Sequence, residues 1–198
     1  MFVYEKKLQY PIRIKNTNPK LAAAIISQYG GPDGELGASL RYLSQRYSMP
    51  YPELTGLLTD IGTEELGHLE MVGTIVHQLT RNLTEQQIKD AGFEAYFVDH
   101  TTGVFPQFAS GYPWSAATMQ VTGDTIADLT EDLAAEQKAR VTYDNILRLS
   151  DDPDVTDAIR FLRAREIVHF QRFGEGLRLV KDRLGEKNVY YMNPSFDQ

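Results

Sequence analysis

Glu65-Leu66-Gly67-His68 places a carboxylate and an imidazole three residues apart, and the pattern returns as Glu166-Ile167-Val168-His169. On a helix, residues three apart share a face, so each pair can reach one metal ion together. A single Glu-x-x-His carries little weight, because helices are rich in Glu. The residues before each copy carry more. Glu35 lies 30 residues before Glu65, and Glu136 lies 30 before Glu166. Tyr42 follows Glu35 by seven, and Tyr143 follows Glu136 by seven. The chain therefore repeats Glu, Tyr, Glu, His at offsets 0, 7, 30 and 33, with the copies 101 residues apart. Two helical hairpins, each supplying one lone Glu and one Glu-x-x-His, carry the ligand set of a dinuclear carboxylate site inside a four-helix bundle.

The surrounding pattern agrees. Leu58, Ile61, Glu65, His68, Val72, Ile75 and Leu79 alternate steps of three and four, the spacing of a buried bundle seam. Ile159, Leu162, Glu166, His169, Phe173, Gly176 and Val180 do the same, and a third seam is read as Ile126, Leu129, Leu133, Glu136, Arg140, Tyr143 and Leu147. Buried carboxylates without compensation are costly, so something cationic should face them. Two divalent cations would offset Glu35, Glu65, Glu136 and Glu166, with His68 and His169 completing the ligands. This donor set suits manganese or iron better than a thiolate-seeking metal. Tyr42 and Tyr143 lie on the same side as the lone Glu residues. They read either as hydrogen-bond partners of the ligand carboxylates, with Tyr42 also placed to act on a bound oxygen species, or as plain core tyrosines. Arg140 reads as a carboxylate partner or channel lining, or equally as a helix-end or interface salt bridge. Glu64, Glu70, Glu131 and Glu175 fall off the ligand face and read as solvated. His77 and His100 have no matched carboxylate.

Working outward, the expected helices are 18–48, 52–81, 124–150 and 153–185. Asn18-Pro19 and Asp152-Pro153 offer a cap followed by Pro at the first helical position, and Thr122-Gly123-Asp124 offers caps for the third. Gly30-Gly31-Pro32-Asp33-Gly34 should kink or break the first helix immediately before Glu35, re-aiming the ligand and leaving room beside it. The pattern then resumes through Leu36, Leu40 and Leu43. Residues 82–123 do not read as one long helix, although Thr84 to about Gly92 suits a short one. If helices two and three run the same way, the chain must return along a bundle roughly 40 Å long, and ferritin-like bundles use one such crossover. The aromatic residues there would let it pack, over the site or a neighbouring subunit. Residues 1–17 form an arm, lying on their own domain or contacting another subunit. Residues 186–198 form a tail whose aromatics suggest docking.

A chain of 198 residues suits one all-α domain with a sizeable core. The net charge of −7 argues against nucleic acid, whose phosphates need a basic face. Without cysteine there is no disulfide, zinc-thiolate or iron–sulfur site. No stretch is apolar enough to span a membrane or act as a signal peptide, so a cytoplasmic product is expected, open to later delivery into an assembly.

Residues 30–42, GGPDGELGASLRY, and 62–72, GTEELGHLEMV, closely resemble the manganese catalases, and length and ending look most like the spore-coat branch of that family, the CotJC proteins. The resemblance implies a ferritin-like four-helix bundle with two manganese ions per chain, acting on hydrogen peroxide to give water and oxygen. It implies that Glu35 and His68 bind one manganese, that Glu136 and His169 bind the other, and that Glu65 bridges them. It places Glu166 beside the metals as a proton shuttle, where spacing alone makes it a ligand, and has Tyr42 hydrogen-bond within the site. It further implies a homo-oligomer, commonly a hexamer, and other coat proteins as partners. Ala135 stands where some members place an Arg that narrows access, which implies a more open site. Two other readings of the same residues are a di-iron ferroxidase or oxidase, and a structural coat component with a vestigial site.

Overall fold

The computed structural model describes residues 4–185, in a bundle whose first member is broken in two. α1 (Pro19–Gly30) starts where the Asn18 side chain accepts from the Leu21 amide, 3.0 Å away, with Pro19 at the first helical position. α2 (Glu35–Gln45) follows and ends in a 3-10 turn at Arg46–Ser48. α3 (Pro52–Thr80) is the second long member, α6 (Thr125–Leu149) the third and α7 (Pro153–Gly185) the fourth. α1 and α2 pack along α3, α6 packs along α7, and the two pairs meet through α3 with α7 and α1 with α6. Among the described residues there is no strand, only an isolated bridge between Gln107 and Pro113.

The Gly-Gly-Pro-Asp-Gly segment is a full break rather than a bend within one helix, because its glycines permit two close approaches. A Cβ on Gly30 would lie 2.3–2.5 Å from the backbone of Pro106 and Gln107, and one on Gly31 would lie 2.3 Å from the Ser27 carbonyl oxygen. The space beside Gly30 is therefore taken by the crossover, which Ser27 Oγ also anchors by accepting from the Ala109 amide at 2.7 Å.

Within the crossover, α4 (Glu85–Ala91) carries a Thr84/Gln87 capping box and stops at Gly92, whose φ of 69° is left-handed. α5 (Glu94–His100), not expected from the sequence, follows at once. The aromatics stack mainly on one another: Phe93 on Tyr96 at 4.8 Å and His100 on Phe105 at 3.9 Å between ring centroids. His100 thus belongs to a local staple. The arm, over residues 4–17, lies on its own domain. Ile12 and Ile14 are buried, Ile12 O accepts from Gln78 Nε2, and the Ile14 amide donates to Gln78 Oε1. The tail, and its expected docking, fall outside the described residues.

Two apolar clusters fill the bundle. One gathers Ile25, Ile26, Val72, Ile75, Tyr143, Ile159 and Leu162, and the other Tyr42, Leu58, Ile61, Leu129, Phe173 and Val180. The expected seams of α3 and α7 are buried along their whole length. The α6 seam differs. Its buried face runs through Thr125, Asp128, Asp132, Ala135, Glu136, Ala139, Tyr143 and Ile146, while Ile126, Leu133, Arg140 and Leu147 are only partly covered. Arg140 turns outward, donating to Asp144 Oδ2 at 2.7 Å and to Gln137 Oε1 at 2.8 Å.

Candidate metal centre

Between the two clusters, Glu65/His68 follow Ile61 on α3 and Glu166/His169 follow Leu162 on α7, while Glu35 opens α2 and Glu136 lies at mid-length in α6. All six side chains are at most 2 % exposed. Ligand atoms of Glu65, His68, Glu166 and His169 lie within 4.8 Å of one another. Glu65 is the hub. Its Oε2 is 2.6 Å from His68 Nδ1, and its Oε1 is 2.7 Å from His169 Nδ1. Glu35 Oε2 lies 3.9 Å from His68 Nδ1, and Glu136 Oε2 lies 3.5 Å from His169 Nδ1. The two rings are near parallel, 5.6 Å apart.

These atoms fit a metal better than they fit each other. Glu65 Oε1, Glu136 Oε2, Glu166 Oε1 and His169 Nδ1 are buried without a hydrogen-bond partner. Glu65 Oε1 and His169 Nδ1 are near neighbours that make no hydrogen bond, as expected of two lone pairs turned toward a shared ion. Buried acceptors are otherwise almost always satisfied.

Each tyrosine crosses to the other half of the repeat. Tyr42 donates to Glu136 Oε1 at 2.5 Å, and Tyr143 donates to Glu35 Oε1. Seven residues separate each tyrosine from its own-half Glu, about 10 Å of helix, too far for contact. The facing helix supplies the partner instead. Burial first, then the charge of Glu136 for Tyr42 and of Glu35 for Tyr143, pushes both phenols well up, so both stay donors.

The electrostatics follow from crowding four carboxylates out of water. Burial, then the Glu65 charge, raises Glu35 well above the usual carboxylate range; burial also raises Glu136. Burial, then the charges of Glu136, Glu35 and Glu65, raises Glu166 well above it. Glu65 goes the other way: burial would raise it, and His169 and His68 hold it down. Burial would lower the imidazoles, but the Glu65 charge and neighbouring carboxylates lift His68 to about 10 and His169 to about 12. In protein stripped of metal, both rings therefore hold a proton at pH 7. That proton must leave before the nitrogen can ligate, so manganese affinity rises with pH between 6 and 8 and binding releases protons. Calorimetry in buffers of different ionisation enthalpy reads this directly; uptake without proton release would contradict it.

Two acidic side chains near these residues escape the sequence reading. Glu64 is not solvated: its side chain is 16 % exposed and lies 3.1 Å from His169 Nε2 and 3.5 Å from His68 Nε2. Arg165 donates to both of its oxygens, at 2.7 and 3.2 Å, and Gln9 donates to Oε1 at 2.8 Å. The available signal is the repeat itself, since Arg165 stands 101 residues after Glu64, at the matching position with the opposite charge. Asp132 is fully buried one turn before Glu136, its carboxyl raised well above normal by burial; no motif announces it. Ala135 is itself buried at 2 % exposure.

A family model described as manganese containing catalase matches residues 1–192. Protein CotJC of Bacillus subtilis strain 168 is 52% identical over 190 residues, 96% of this chain and 100% of that protein. A probable manganese catalase of Clostridium acetobutylicum is 36% identical over 191 residues, 95% of this chain and 84% of its own. The crystal structure of KatB, a manganese catalase from Anabaena, superposes with a TM-score of 0.86 at 32% identity, over 98% of this chain and 85% of that one. With the family's match running through both Glu-x-x-His copies and a near-full-length superposition on one of its solved members, the chain belongs to the manganese-containing catalases.

Proposed function

We propose that this protein disproportionates hydrogen peroxide to water and oxygen at two manganese ions per chain, held by Glu35, Glu65, His68, Glu136 and His169 with Glu166 beside them. The observation that carries this reading is the set of buried, unpartnered ligand atoms around Glu65. Manganese, when bound, supplies the two-electron change that the reaction needs.

The chain's own residues supply charge balance, aim and protons. Tyr42 and Tyr143 hold one oxygen each of Glu136 and Glu35, which leaves the other oxygen of each free to ligate. Glu166 has an unpartnered Oε1 and a raised affinity for its proton, so it can hold one at neutral pH and pass it between the oxygens of peroxide and the departing water. Glu166→Gln keeps manganese but lowers kcat by about 10²-fold or more, the usual worth of a placed proton-transfer group. Metal content and steady-state oxygen release check this together, and unaltered kinetics would remove the proton role.

The similarity to protein CotJC supports association with a spore coat. Among the described residues no helix is long and apolar enough to cross a membrane. The deciding measurement is metal content with oxygen release on adding peroxide. Near two manganese per chain with oxygen evolved supports the catalase reading. Two iron without oxygen points to an oxidase, and no metal after manganese-supplemented expression points to a structural component.

A further inference from the structure

We propose that Glu64 is a positioning residue for the His169 imidazole, fixing which ring nitrogen it presents to the metal pair, with Arg165 and Gln9 holding it in place. The proposal rests on the manganese reading above. An ionised carboxylate can only accept hydrogen bonds. The two-pronged Arg165 contact keeps Glu64 in that form and fixes its plane. His169 Nε2, 3.1 Å from Glu64 Oε2, must then carry the hydrogen. A neutral imidazole has one N–H, so Nδ1 is left bare, and Nδ1 is the atom that faces Glu65 and Glu136. His68 is turned the same way, with Nδ1 toward Glu65 and Nε2 3.5 Å from Glu64 Oε1. At that distance the hold on His68 is electrostatic rather than a formed hydrogen bond. Glu64 thus sets the His169 ring, as outer carboxylates do for metal-bound histidines generally, while His68 takes its hydrogen bond from Nδ1 to Glu65 at 2.6 Å.

The sequence explains how a residue of α3 comes to hold the ring on α7. Glu64 sits four residues before His68, one position off the ligand face, and Arg165 holds the equivalent place on α7. Identical residues at these positions would leave like charges facing each other; opposite charges meet across the bundle. Gln9 adds a tie from the arm, which joins the docking of residues 4–17 to the metal centre.

The test is manganese affinity, by competition with a fluorescent chelator, together with thermal melting of the metal-stripped protein. Glu64→Leu lowers affinity about 10- to 100-fold. Glu64→Gln, which keeps an acceptor for His169, restores affinity to within about tenfold of wild type, at the mild end of the same range. Melting of the stripped protein changes alike in the two variants. Wild-type affinity in Glu64→Leu, or equal losses in Leu and Gln, would overturn the positioning role. If Glu64→Leu does not fold, Arg165→Met replaces it: about tenfold weaker binding is expected, and wild-type affinity overturns the proposal. A wild-type protein that binds no manganese overturns the metal reading itself, and is seen before any variant is made.

Discussion

Replacing Glu65 by alanine abolishes manganese retention and peroxide turnover together. Glu65 meets both His68 and His169 at hydrogen-bond range and, of the four buried carboxylates of this centre, is the one whose pKa is held below normal while those of Glu35, Glu136 and Glu166 are raised. It is therefore the carboxylate that both imidazoles hold ionised. Removing one partner of a buried ionic cluster costs about 3–5 kcal/mol, on the order of 10²–10⁴ in metal affinity. Losing Glu35 or Glu136 should cost less, because each faces one imidazole at longer range, 3.9 and 3.5 Å. Metal analysis of the purified variant and an oxygen electrode decide the matter. Full metal occupancy with normal turnover in Glu65→Ala would refute its bridging role.

Gly30→Ala destabilises the fold although alanine is the better helix former. At an unconstrained helical position the exchange would stabilise by about 1 kcal/mol. Here the added Cβ would stand 2.3 Å from the Pro106 carbonyl carbon and 2.4 Å from the Gln107 nitrogen. Backbone cannot swing aside as a side-chain tip can, so α1 and the crossover must part. Overpacking of this kind costs about 3 kcal/mol or more, about 6–12 °C in melting temperature at this chain length. The same displacement shifts the break before Glu35, so metal binding weakens as well. Gly56→Ala is the control, since nothing lies within 4 Å of its added Cβ. Equal melting temperatures for the two variants would show that the crossover is not held against α1.

The four long helices and the ligand face of α3 and α7 were legible in the sequence because large apolar residues occupy their inner positions at unbroken steps of three and four. The inner face of α6 was legible only in part: Leu129, Glu136 and Tyr143 are buried as expected, but the face also uses Ala135, Ala139 and Asp132 while Leu133 and Leu147 sit at the flank. A reading by residue size chooses the leucines. α2 misleads for a related reason: Leu40 is 36 % exposed, and its buried face carries Glu35, Arg41, Tyr42 and Gln45. Glu64 escaped because its role depends on Arg165 across the bundle, a tertiary pairing that helical angle alone cannot supply. The spacing of Tyr42 and Tyr143 marked both as site neighbours, but the exchange of partners between halves needed the packed helices.

That exchange sets an order of events as the chain folds. The hydroxyl on Glu35 arrives from 108 residues downstream, and the one on Glu136 from 94 residues upstream. Neither hairpin can complete its own carboxylate, so each carries an unfinished site until the two dock. Contacts so distant along the chain form late. On the manganese reading proposed above, metal capture would report on assembly: a half-folded chain offers only fragments of the cage, and only the docked bundle closes it.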